Sequence, residues 1–233
     1  MKLVIDIGNT RTKLALFKGK DIFAISNINI CSLNNIHKFV GNNKISATII
    51  SSVKEINTEI VSILDSYKGL ILSENLPIPI TSHYKTPHTL GQDRIAAVVG
   101  AYSLYNKKDI IVIDAGTCLT IDFLSEKGEY IGGRISPGIE IRYKALHTFT
   151  DKLPLVTKEN TIPIIGNDTV SSILSGVQQG ILAELRLIIS EYRLRKPEAI
   201  AVVTGGDAFF FEKELKSSIF ANLNLVMIGL NEI

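Results

Sequence analysis

The run Leu3-Val4-Ile5-Asp6-Ile7-Gly8-Asn9-Thr10 returns 108 residues later as Ile111-Val112-Ile113-Asp114-Ala115-Gly116-Thr117. Each copy is a short apolar stretch ending in an acid, then a glycine within a tight turn, then hydroxyl residues, then a second apolar stretch at alternating spacing. That pattern reads as strand, turn, strand with a carboxylate at the turn. Two such hairpins predict an α/β protein of two similar half-domains that face each other across a phosphate-bearing ligand.

The repeat extends outward from these runs. Three strand-like segments fill residues 2–28, with turns at 8–11 and 19–21. A helix over 32–40, a buried strand over 45–51, an amphipathic helix over 54–66 and a strand over 69–72 complete a βββαβαβ order. Residues 76–90 hold three of the seven prolines and two histidines, which marks a connecting or binding loop. A helix is expected over 92–105. The second half repeats the opening, with strands over 110–113, 119–124 and 129–135. Helices then cover 139–146 and 168–193, the second bending near Ser175-Gly176 or Gly180. A buried strand over 200–203, a helix over 208–217 and a strand over 223–227 finish the chain. The expected domains are residues 1–107 and 108–233.

Composition narrows the partners. Lys and Arg number 25 against 23 Asp and Glu, with no long block of either sign, so nothing marks a nucleic-acid surface. Cys31 and Cys118 are far apart, without CxxC spacing, and read as free thiols rather than a disulfide or zinc site. The opening residues form a strand rather than a leader peptide, and no window approaches the ~18 apolar residues of a membrane span. The expectation is a cytoplasmic protein with a small-molecule partner and no membrane contact.

The first turn has the parts a phosphate site needs. Gly8 allows close backbone approach, Asn9, Thr10 and Thr12 offer hydrogen-bond donors, and Arg11 and Lys13 add positive charge. Strand alternation puts Arg11 and Lys13 on one face and Thr10 and Thr12 on the other. An acid aimed at phosphates needs an intervening cation, so Asp6 points to magnesium. The same residues also suit an ordinary hairpin turn. Asp114, with Gly116, Thr117 and Thr120 after it, either binds a cation or caps a turn. Thr204-Gly205-Gly206 stands at a strand-to-helix junction where backbone amides can receive a nucleotide. Gly91-Gln92-Asp93-Arg94 opens a helix after the proline-rich loop. An acid that accepts a hydroxyl proton beside an Arg that holds an anion suits phosphoryl transfer to an acidic alcohol.

In this order, the elements resemble the type III pantothenate kinase family, within the superfamily of acetate and sugar kinases, heat-shock proteins and actin. The residues that carry the likeness are Asp6 to Thr10, Tyr84 through Gly91-Gln92-Asp93-Arg94, Asp114 to Thr117, Gly132-Gly133 through Pro137-Gly138, Gly166 through Thr169, Ser175-Gly176 and Thr204-Gly205-Gly206. The resemblance implies two ribonuclease H-like (actin-like ATPase) domains with a cleft between them, and transfer of the ATP γ-phosphate to the 4′-hydroxyl of pantothenate. It further implies that Asp93 is the general base, and that Asp6, Ile7, Gly8, Asn9, Thr10, Arg11, Thr12, Lys13 and Thr117 hold ATP, with Asp6 near magnesium. Asp114 would ligate a monovalent cation, potassium or ammonium. Tyr84, Gly91, Gln92, Asp93, Arg94 and Thr169 would line the pantothenate pocket, with Arg94 near the carboxylate, in a homodimer. Two departures stand out: Asp168 replaces the usual Asn before Thr169, and Asp151 replaces a common Ala. Asp168 either weakens binding of an anionic substrate or caps a helix. The rival readings are a superfamily kinase with another acceptor and an accessory regulatory protein of the same family.

Overall fold

Strand β1 (Lys2–Ile7) buries Leu3, Val4 and Ile5 completely in the computed structural model, which describes residues 1–8, 10–216 and 219–233. It pairs antiparallel with β2 (Thr12–Lys18), which pairs with β3 (Asp21–Ile28). On its other edge it pairs parallel with β4 (Ala47–Ser52), and β4 with β5 (Gly69–Ile71). A central strand covered on both faces requires its near-continuous apolar run. Ser32 caps α1 (Leu33–Val40) and Asn57 caps α2 (Thr58–Tyr67), each side chain accepting a backbone N–H in the first turn. The Asn57 cap explains why α2 starts later than its apolar pattern predicts. Ile36, Ile60 and Ile63 from these helices close the core over Leu3, Ile5, Leu14 and Leu16.

The proline-rich stretch carries only β6 (Thr81–Ser82) and one tight helical turn, Pro87–Thr89, before α3 (Gln92–Leu104). Then β7 (Ile110–Ala115), β8 (Cys118–Leu124) and β9 (Glu129–Pro137) follow. Next come α4 (Ile139–Thr148), α5 (Thr169–Leu174), α6 (Gly180–Arg195), β10 (Ile200–Thr204), α7 (Ala208–Leu215), β11 (Phe220–Ala221) and α8 (Leu225–Glu232). The helix expected to end at 217 thus has its last residue, Ser217, outside the described residues.

Two units form. The first comprises Met1–Lys107, Phe123–Gly132 and Asn224–Ile233, and the second Lys108–Asp122 and Gly133–Leu223. The five-stranded sheet runs β3-β2-β1-β4-β5; the six-stranded sheet runs β6-β9-β8-β7-β10-β11, and the five strands from β9 to β11 repeat the first order. The sequence repeat is therefore a repeat of topology in an α/β fold with mixed sheets.

Two expectations are corrected. Residues 223–227 form no strand: Leu223 and Asn224 are in a turn, and Leu225 to Met227 open α8. Leu225, Met227 and Leu230 are buried on a helix packed against α3, so tertiary burial decides a short apolar segment whose propensity is ambiguous. The helical run Thr169–Arg195 is also long and apolar enough to cross a membrane by length and composition, although no such window was expected; half of its most apolar window is buried within the protein. Ile181, Leu182, Leu185, Ile188 and Ile189 form that buried stripe, as in a core helix. The bend expected there is a stretch of wider, π-type turns at Ser175–Gln179.

Candidate active site

At the end of β1, Asp6 pairs with Lys13 across to β2 and with Ser51 on β4. It is half-buried, and its carboxyl is pushed up from the ordinary 3.8 to about 6. Burial is the main cause and the charge of Asp93 the second, while the Ser51 hydroxyl and Lys13 pull the other way. A buried carboxylate raised by a second one nearby makes a donor set that a divalent cation, held through water or phosphate oxygens, would relieve. The turn beyond is closed by the Gly8 N–H donating to the Arg11 carbonyl at 3.0 Å. A Cβ on Gly8 would stand 3.2 Å from that oxygen. Thr10 and Arg11 are exposed and Lys13 is half-buried. Ile7 and Thr12 are buried, and the Thr12 hydroxyl hydrogen-bonds the Cys31 sulfur. Asn9 lies outside the described residues.

The raised Asp6 pKa has a sign that can be measured. Between about pH 4 and 6 the folded chain holds a proton the unfolded chain has released, so stability falls as pH rises through that window. Asp6→Asn is expected to stabilise the nucleotide-free protein by about 2 kcal/mol above pH 6, with no gain below pH 4. Thermal unfolding at pH 4 and pH 8 checks this, and an equal shift at both pH values would contradict it.

The second carboxylate stands on the first turn of α3. Asp93 Oδ1 accepts the backbone N–H of Arg94 at 2.8 Å. Gly91 occupies the N-cap, where a Cβ would lie 2.5 Å from that oxygen, so only glycine lets the carboxylate fold back over the helix start. Gln92 borders a cavity of about 330 Å³ whose lining includes Lys54 and His88. Arg94 is 5% exposed and donates from Nη2 to the Tyr130 hydroxyl at 3.0 Å. Its guanidinium carbon sits 5.8 Å from the centre of the Tyr84 ring. Tyr130 is fully buried, and its ring centre is 6.0 Å from that of Tyr84. Sequence reasoning missed Tyr130. An aromatic residue alternating within a strand carries no local signal that ties it to an arginine 36 residues earlier.

In the second unit, Asp114 ends β7 opposite Thr204 of β10, as Asp6 ends β1 opposite Ser51 of β4. Gly205 has φ +91, and a Cβ there would reach within 2.5 Å of Asp114 Oδ1 and of the Ala115 backbone. Gly116 approaches the same oxygen, at 3.5 Å from its would-be Cβ. Asp114 is thus half-buried in a cradle shaped by two glycines. Thr117 is exposed, and its carbonyl accepts the Gly138 N–H at 3.1 Å. Asp207 N–H bonds the Ala115 carbonyl at 3.0 Å, and its side chain pairs with Lys158.

Thr169 is not among the residues around Asp114. It is exposed at the start of α5 and lines a cavity of about 750 Å³ with Leu146, Leu153, Asn167 and Ser172. Asp168 is a helix cap: Oδ1 accepts the Ser171 N–H at 2.9 Å, and the Asp168 N–H donates to the Ser171 hydroxyl at 3.1 Å. The Ser171 backbone N–H first, and its hydroxyl second, hold the Asp168 carboxyl below the usual range.

The sequence model of the type III pantothenate kinase family matches residues 2–191. A type III pantothenate kinase of Bacteroides fragilis is 42% identical over 235 residues, covering 100% of this chain and 97% of its own. Among solved structures, a Campylobacter jejuni protein described as a Baf family transcriptional activator superposes with TM-score 0.65 at 22% identity, over 99% of this chain and 96% of its own. A ROK family glucokinase of Streptomyces griseus, in complex with glucose and AMPPNP, gives TM-score 0.52 at 12% identity, over 99% and 98%. At those identities the structural likeness speaks for the fold.

Proposed function

Because the chain belongs to the type III pantothenate kinase family, and so phosphorylates pantothenate with ATP and a divalent metal, we propose how its residues divide that reaction. Asp93 is the general base that takes the proton from the 4′-hydroxyl as the γ-phosphoryl group leaves ATP, giving 4′-phosphopantothenate on the way to coenzyme A. The observation that carries this role is the Asp6–Asp93 pair: two carboxylates share one site, one at the phosphate-binding turn and one on a helix start. Asp6 would hold the magnesium that arrives with ATP, through water or a phosphate oxygen, and that ion supplies charge neutralisation at the phosphates. The turn from Ile7 to Lys13 takes the phosphates, and the family likeness assigns Thr117 to ATP as well. The exposed Thr10 and Arg11 donate directly, and the buried Ile7 and Thr12 shape the turn from behind. Tyr84 and the segment Gly91 to Arg94 take the acceptor, with Arg94 set against the carboxylate, and the family likeness assigns Thr169 to the acceptor as well.

Asp114 takes the monovalent cation, potassium or ammonium, in the cradle that a Cβ at Gly205 would fill. The protein works in the cytoplasm as a homodimer. ADP release is expected to depend on pantothenate and to be several-fold faster in potassium than in sodium buffer, with that difference abolished in Asp114→Ala. A coupled assay of both proteins in both buffers tests the assignment. A variant that keeps the wild-type cation response would place the ion elsewhere.

A further inference from the structure

Arg94 carries a permanent charge, yet it is almost wholly withdrawn from solvent. Burying a guanidinium is costly unless its donors are satisfied, so whatever accepts from it also fixes its direction. The Tyr130 hydroxyl is such an acceptor, at 3.0 Å from Nη2. Tyr130 itself has no exposed surface, so its ring is locked by packing and its hydroxyl is a fixed point.

The same residue organises the loop that bears Tyr84. β6 runs parallel to β9, with Ser82 opposite Tyr130, and the His83 N–H donates to the Tyr130 carbonyl at 3.1 Å. One step further along that loop, Tyr84 presents its ring to the guanidinium. Behind Tyr130, the turn residue Gly128 has φ +77, and a Cβ there would meet the Tyr102 ring of α3 at 3.0 Å. The hairpin tip therefore registers against α3, the helix on which Arg94 stands.

We propose that Tyr130 is a positioning residue for acceptor recognition: its hydroxyl aims Arg94 and its backbone holds the Tyr84 loop, so that the two present one anion-binding face to the carboxylate of pantothenate. This rests on the reading of Arg94 as the carboxylate contact. Tyr130 touches neither substrate, and its effect passes through Arg94.

The test is a double-mutant cycle with Tyr130→Phe and Arg94→Lys, read as separate KM values for pantothenate and ATP, with kcat and Tm measured alongside. Phenylalanine keeps the buried ring and removes only the acceptor. The single variant Tyr130→Phe should raise the pantothenate KM about tenfold, the scale of one hydrogen bond to a charged group, and leave the ATP KM within about twofold. In an Arg94→Lys background the same substitution should change the pantothenate KM by less than about twofold, because the group it acts through is already lost. Effects that multiply independently would overturn the proposal, as would a parallel rise in both KM values. If Arg94→Lys raises the pantothenate KM and Tyr130→Phe does not, the inference falls and the Arg94 reading stands. If Arg94→Lys leaves it unchanged, both fall.

Discussion

Asp93→Asn is expected to lower turnover about 10³-fold, within the range that removal of a general base produces, while MgATP binding and folding persist. The amide oxygen can still accept the Arg94 N–H that Asp93 Oδ1 accepts now, so the helix start keeps its geometry. What disappears is the proton acceptor. The variant also loses the like charge that raises Asp6, so the nucleotide-free protein should melt no lower than the wild type at neutral pH. Steady-state kinetics together with calorimetric titration of MgATP separate the two effects. Turnover near that of the wild type would remove Asp93 from the base role, and lost ATP binding would recast it as a structural residue.

Gly229→Ala is expected to be the most damaging conservative substitution outside the site. A Cβ at Gly229 would stand 1.7 Å from the carbonyl oxygen of Ala96 and 2.8 Å from the backbone nitrogen of Gly100. On the facing helix, a Cβ at Gly100 would lie 2.1 Å from the carbonyl oxygen of Leu225. Backbone thus meets backbone between α3 and α8, and no side-chain rearrangement can make room. Separating the helices by even one methyl group opens the contact over Leu225, Met227 and Leu230, at a cost of about 3 kcal/mol or more. Melting should drop by at least about 6 °C, and pantothenate turnover should fall with it because α3 carries Asp93 and Arg94. A melting temperature within about 2 °C of the wild type would show that the helices are not so tightly bound.

Most of the element order was legible because local patterns and tertiary packing agree. The runs at Leu3–Ile5 and Ile110–Ile113 are apolar and β-branched, and each becomes a buried central strand. The duplicated acid–glycine turn gave the repeat, and the matching strand orders of the two sheets realise it. What was not legible depends on partners distant in sequence. Leu223 to Met227 satisfies a strand pattern as well as a helix pattern, and only the glycine notch opposite Gly100 decides it. Thr12 looked like a phosphate donor by residue type, but strand pairing turns its hydroxyl inward toward Cys31. Arg94 read as an anion holder by residue type, with no local signal that its neighbours bury it. Asp168 is a helix cap through its bonds with Ser171, a role that depends on a residue three positions later.

The first unit is assembled from three stretches, the last of them Asn224–Ile233. A ribosome that has just emitted residue 107 has made β1 to β5 and the helix bearing Asp93, but not the strip that seals that helix. The seal emerges only after the whole second unit has been translated. Until then Ala96 and Gly100 have no covering surface, and a nascent chain stalled anywhere upstream stays open on that side. A chain terminated before α8 therefore reaches the cell's quality-control machinery with the α8-facing side of α3 uncovered.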